Sequence, residues 1–222
     1  MIKNRLAQII FQVVYCTLSL FGILGSLGYF NADYSENAFL YYTNLSNYIC
    51  MGFMFVALIS TIKKANKNES GLVTLAPVLN FISVIMILVT CVVYNVLLAK
   101  ENSVAHYFLT IQNLLLHLIL PIMFIVHWAL FCEHGKLRWF HPLMCTILPL
   151  IYVVFILVRS LFVDSASGKL VYPYFFLNVD NLGWGGVLAY VAVLLVIFVL
   201  IGYMFYAFDH WKTMRSKFQK KK

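Results

Sequence analysis

Charge is what this chain has least of. Asp, Glu, Lys and Arg together make up 11% of its 222 residues, while 63% are hydrophobic. A soluble domain carries about 25% charged residues, so almost nothing is left over for a water-exposed globular domain. Also missing is the alternation of apolar and polar residues that strands of a membrane barrel require. The five cysteines, Cys16, Cys50, Cys91, Cys132 and Cys145, have no CxxC spacing and all lie in or at the ends of apolar runs. They read as small buried hydrophobes, not as a disulfide frame or a zinc site. No HxxxH pair is present for zinc, and facing histidines for a haem would have to come from one helix. No cofactor and no metal site is expected. No internal repeat is visible, which argues against an inverted-repeat transporter.

What the chain does have is six apolar runs long enough to cross a bilayer, a crossing that takes about 20 residues. They are Leu6–Phe30, Phe39–Ile62, Leu72–Leu98, Tyr107–Phe131, Pro142–Val163 and Gly183–Phe208. The expectation is an all-α, polytopic protein: one six-helix transmembrane domain spanning residues 1–222. The net charge of +8 could suggest a nucleic-acid partner, but its placement points elsewhere. Thirteen of the 16 Lys and Arg fall at the termini and in the second and fourth loops, with Lys100, Lys169 and Arg159 the remainder. Basic residues collect on the cytoplasmic side, which implies N-in and C-in. The Lys-rich tail then lies against anionic lipid head groups.

The most informative stretch is Gln112–Pro121. It sets His117 about ten residues into an apolar run, where an ionisable side chain costs on the order of 3 kcal/mol without a partner or a task. Pro121 follows four residues later. Having no N–H, it cannot bond the carbonyl of His117, so an imidazole and a freed carbonyl share one level of a helix. Asn113, one turn earlier, is placed to hold the imidazole or to contact a substrate carbonyl.

A second polar cluster, Tyr42-Thr43-Asn44-Leu45-Ser46-Asn47, puts Thr43, Ser46 and Asn47 on one helical face. It serves either as helix–helix glue or as a site. The two clusters are expected to meet in one intramembrane site, with Tyr94 and Asn95 of the third helix at the same level. Gly22-x-x-Gly25-x-x-Gly28 is a small-residue face that lets another helix approach closely. Ser35 is the expected N-cap of the second helix. His127, beside Trp128, reads as an interfacial pair, and His106, His134 and His141 fall at helix ends or in loops. Arg159 is expected to snorkel, or to pair with Asp164 or Asp180, ahead of contacting a substrate carboxylate. The long loop Asp164–Leu182 contains Leu170–Phe176, too apolar for a solvated loop and suited to lidding a cavity. The sixth helix opens on Gly183-Trp184-Gly185-Gly186, read as a flexible, closely packed start.

Three patterns in order carry a family resemblance: Tyr42–Asn47 on the second helix, Asn113-x-x-x-His117 with Pro121 on the fourth, and Gly168-x-x-Val171-Tyr172-Pro173 before the sixth. Together they resemble the bacterial "Pr-six-Pr" membrane proteins over nearly the whole chain. In the motifs and helix count alone they are similar to the animal androgen-induced-gene membrane hydrolases, which cleave fatty acid esters of hydroxy fatty acids. The resemblance implies an intramembrane hydrolase in a bacterial inner membrane with Thr43 as nucleophile and His117 as general base. Its substrate would be a lipid-like ester in the bilayer. Asn44, Asn47, Asn113, Arg159 and Tyr172 are then candidates for substrate binding or for the oxyanion.

One difficulty stands beside that reading. A nucleophile and its base must come within about 2.6–3.2 Å in the working complex. Thr43 lies four residues past the start of its run and His117 ten past the start of its own, a mismatch of roughly 9 Å at 1.5 Å per residue. The same cavity could serve a non-enzymatic lipid or small-molecule binder or transporter, or the polar residues could only join helices. Oligomeric state is not legible.

Overall fold

Apolar runs of this length can satisfy their backbone inside a bilayer only by closing every bond within the segment, which helices do. The computed structural model describes residues 2, 4–30, 34–67, 73–98, 110–163 and 168–219, with side chains as far as Trp211. Among them there is no strand. Six helices are long and apolar enough to cross a membrane: α1 Arg5–Ser26, α2 Tyr42–Asn66, α3 Pro77–Leu98, α4 Ile111–Phe131, α5 His141–Ser160 and α6 Val179–Trp211, the last continuing to Gln219. This is the build of a multi-pass membrane protein. Large apolar side chains such as Ile151, Val154, Leu188, Leu200 and Met204 lie exposed along α5 and α6, as lipid-facing surfaces do and soluble surfaces of this size do not.

The helix ends correct the sequence reading. The first run stops at Ser26, not Phe30, because Gly28 takes φ 86° just past the helix, a conformation glycine adopts freely. α2 begins at Tyr42, after a short 3-10 turn at Ala38–Leu40. Ser35 does not cap it; its N–H bonds the carbonyl of Leu27 instead. Pro77 opens α3, as proline does in a first helical turn. The sixth helix starts four residues before Gly183 and breaks there at φ 66°, ψ 168°, a region essentially open to glycine alone. A Cβ at Gly183 or Gly185 would meet nothing within 4 Å, so neither is there for close packing. Leu72, Tyr107, the sequon Asn68-Glu69-Ser70, and Asp33, Lys100, His106 and Asp164 lie outside the described residues.

Two hydrophobic clusters hold the bundle. The larger joins α1 to α4 around Tyr15, Met54, Phe81, Leu116 and Phe124. The smaller joins α5, α6 and the loop between them around Tyr152, Ile156, Tyr174 and Val187. The small-residue face of α1 receives α4: a Cβ on Gly22 would stand 3.1 Å from Leu116 Cδ2, and one on Gly25 would stand 2.9 Å from Gln112 Cβ. At one end of the bundle Ile2 N–H donates to the Leu130 carbonyl at 2.8 Å, and Gly135 N–H to Asp209 Oδ2 at 2.8 Å. That end therefore gathers the start of α1, the end of α4 and the far end of α6. The site lies at the other.

Candidate functional site

Pro121 shapes α4 more than its missing N–H alone would suggest. The helix widens into a π-type turn over Leu115–Ile119, in which Leu120 N–H reaches back five residues to the Leu115 carbonyl. In that register the carbonyl of Leu116 would look to residue 121, and in the ordinary α register the carbonyl of His117 would look to the same residue. Proline can serve neither. Two asparagines from neighbouring helices do so: Asn47 Nδ2 donates to the Leu116 carbonyl at 3.1 Å, and Asn95 Nδ2 to the His117 carbonyl at 3.1 Å. An unmade bond of this kind costs about 1–3 kcal/mol, so α2 and α3 are tied to α4 at this level. Widened turns of this sort are frequent at functional sites.

The His117 ring lies flat on Tyr94, with centroids 3.5 Å apart and planes within 8°. The residue is buried, and its Nδ1 has no hydrogen-bond partner among the described residues. Across from it, Thr43 sits in the first turn of α2, where backbone N–H groups have no partner within the helix. The N–H of Thr43 donates to the Tyr174 hydroxyl at 3.2 Å. Burial pushes the Tyr174 phenol up to about 12, with the Thr43 contacts pulling the other way, so it stays a neutral donor and acceptor. Ser46 Oγ and Asn47 Nδ2 both donate to the Thr43 carbonyl at 2.8 Å, and Ser46 meets the Thr90 hydroxyl at 2.8 Å.

Thr43 and His117 line the same cavity, of about 400 Å³, together with Asn44, Asn113, Pro173 and Tyr174. No hydrogen bond joins Thr43 to His117 in this state. A second, almost wholly apolar pocket of about 70 Å³ begins on the far side of Thr43 and Tyr174, walled by residues of α3, α5 and α6 such as Val93, Tyr152 and Leu195. Thr43 is thus shared between a polar chamber and an apolar slot. Asn47 is level with the Leu116 carbonyl, so Thr43, one helical turn before Asn47, still lies nearer the helix starts than His117. The separation in depth persists, and the two side chains face each other only across the chamber.

The remaining sequence candidates divide. Asn113 lines the chamber, but its amide donates to the Thr110 hydroxyl at 3.1 Å and does not hold the imidazole. Asn44 lines it with one N–H given to the Ala38 carbonyl at 2.9 Å. An amide has two hydrogens, so each of these keeps one for a ligand. Asn47 gives both of its own to backbone carbonyls and is outside the cavity wall. Arg159 neither lines the chamber nor pairs with Asp180. It donates to the carbonyls of Leu170 at 2.8 Å and Val171 at 3.1 Å, pinning the loop. Tyr172 packs against the smaller core cluster, and the loop residues facing the chamber are Pro173 and Tyr174.

Sequence reasoning passed over Tyr174, although it stands inside the apolar loop expected to cover a cavity. It placed Asn95 at the right level without its task. His127 is also corrected: it is not an interfacial residue but is 1% exposed, with one ring nitrogen 3.1 Å from Gln12 Nε2. Trp128 beside it packs on Phe205 and Phe208. His134, read only as a helix-end or loop residue, holds Asp209 at 2.8 Å in a buried pair. No protein-family model, curated protein or solved structure matches the chain.

Proposed function

We propose that the chamber hydrolyses a lipid-like ester within the membrane, with Thr43 as nucleophile and His117 as general base. The observation that carries this is the single cavity of about 400 Å³ whose wall includes both side chains, a volume within the range of small-ligand sites. The motif resemblance to the bacterial "Pr-six-Pr" proteins and the animal ester hydrolases supports the same pair. The Thr43 hydroxyl attacks the ester carbonyl and its proton passes to His117, directly or through one water. The tetrahedral oxyanion takes hydrogen bonds from Tyr174 and from the remaining N–H of Asn113 or Asn44. Its collapse breaks the C–O bond, and His117 returns the proton to the departing alkoxide. Water, deprotonated by His117, then releases the acid from acyl-Thr43. The acyl chain enters the apolar slot behind Thr43.

The chamber is bounded by the end of α1 and the starts of α2 and α4, opposite the chain termini. With both termini cytoplasmic in a bacterial membrane, it opens toward the outer leaflet, and the Lys-rich tail rests on anionic head groups inside. The second reading is a binder or transporter of lipid or another small molecule. It is favoured by one observation: the backbone of Thr43 is bonded to Tyr174, and no hydrogen bond joins Thr43 to His117. Turnover of a fatty-acid nitrophenyl ester by the purified protein separates the two. Hydrolysis abolished by both Thr43→Ala and His117→Ala supports the enzyme; absent hydrolysis with retained lipid supports the binder.

A further inference from the structure

Below the chamber, α1 presents Gln8, Gln12, Tyr15 and Ser19 to the protein interior, each buried. Their spacing of four, three and four residues keeps them on one helical face. Polar side chains in such a line are costly in a bilayer unless every donor and acceptor is used. Here they are not. Gln12 Oε1, Tyr15 Oη and Ser19 Oγ have no hydrogen-bond partner among the described residues, and neither do Asn47 Oδ1 on α2 and Asn80 Oδ1 on α3. All five residues are at most 1% exposed. Turning the amide of Gln12 or Asn80 only exchanges which of its atoms is left over.

At the end of the file nearest the termini stands His127. One ring nitrogen is 3.1 Å from Gln12, and the other is 3.9 Å from Cys132 Sγ, itself 3.1 Å from Asn80 Nδ2. Among the described residues its hydrogen-bond and ring contacts include no carboxylate, lysine or arginine; the rings of Phe11 and Phe131 flank it. At the other end, Leu116 fills the space over Gly22, one turn beyond Ser19, and Leu116 also lines the chamber.

We propose that α1 to α4 enclose a file of water that carries protons between His127 and the chamber, with Leu116 on Gly22 as its stop. Water is small enough to meet isolated hydroxyl and amide oxygens in a packed core, and it bonds to two or more of them at once. A proton enters on one nitrogen of His127 as the proton on the other leaves along the file. The ring is neutral before and after, and reorientation resets it. Each hydroxyl and water on the way gives one proton and takes one.

The test uses the full-length chain in phosphatidylcholine vesicles holding a pH-sensitive dye, with proton uptake driven by a potassium diffusion potential. Leu116→Ala removes the stop and is expected to raise uptake about tenfold over protein-free vesicles. Adding Tyr15→Phe to Leu116→Ala returns uptake to the protein-free rate. Among the described residues the Tyr15 hydroxyl has no partner, so its removal breaks no described hydrogen bond and acts on the file. Proton uptake is read without any ester present, so the file stands or falls separately from the hydrolase. Uptake with Leu116→Ala no faster than in protein-free vesicles overturns the proposal. So does fast uptake that Tyr15→Phe does not reduce, which is a leak through a disordered bundle.

Discussion

Tyr174 and Asn95 do different work at the same site, and substituting each separates chemistry from support. The Tyr174 hydroxyl accepts from the first turn of α2 and faces the chamber. Tyr174→Phe is expected to cost about 1 kcal/mol of stability through the lost bond. If the phenol also holds the oxyanion, turnover falls about 10²-fold with KM little changed, and steady-state kinetics on the nitrophenyl ester read both. Asn95 does not itself line the chamber; its amide serves the His117 carbonyl that Pro121 leaves open. Asn95→Leu is therefore expected to lower the melting temperature by the equivalent of about 1–3 kcal/mol. These two residues also mark how much of the site was legible in advance. His117 and Pro121 declare themselves because their chemistry is local, four residues apart. The Asn95 bond spans 22 residues and the Tyr174 bond 131, so nothing in either segment alone announces its partner. His127 was misread for the same reason, since Gln12 lies 115 residues away.

At the scale of single elements, α4 is held in its widened turn by a proline and two asparagines. Pro121→Ala restores an N–H at residue 121, lets the His117 carbonyl bond within its own helix, and releases Asn95. Unchanged or higher thermal stability is expected, together with a loss of hydrolysis as the imidazole rotates off Tyr94. A variant as active as the wild type would show that the π-type turn is incidental. Packing of α4 on α1 is equally specific, since a Cβ at Gly25 stands 2.9 Å from Gln112 Cβ. In α6, Gly183→Ala forces a residue with a side chain into φ 66°, ψ 168°, at a cost of about 1–3 kcal/mol that a thermal melt would register. The runs themselves were plain from composition, because nothing but a helix satisfies the backbone of 20 apolar residues in lipid. Their ends were not, because Gly28, the 3-10 turn before Tyr42 and the break at Gly183 are conformational choices that hydrophobicity does not encode.

At the scale of the whole molecule, the described residues form one bundle of six helices, with the start of α1 and the far end of α6 at one end and the chamber at the other. With the termini cytoplasmic, an impermeant thiol reagent added to intact cells is expected to label Lys169→Cys in the loop before α6, and Ile2→Cys only after permeabilisation. The reverse pattern would turn the chamber toward the cytoplasm without altering its chemistry. The most direct measurement is mass-spectrometric mapping of a fluorophosphonate adduct on the purified protein. The expected result is one adduct on Thr43, absent from His117→Ala although that variant still folds. An adduct on another residue, or equal labelling of Thr43 without His117, would contradict the Thr43–His117 pair.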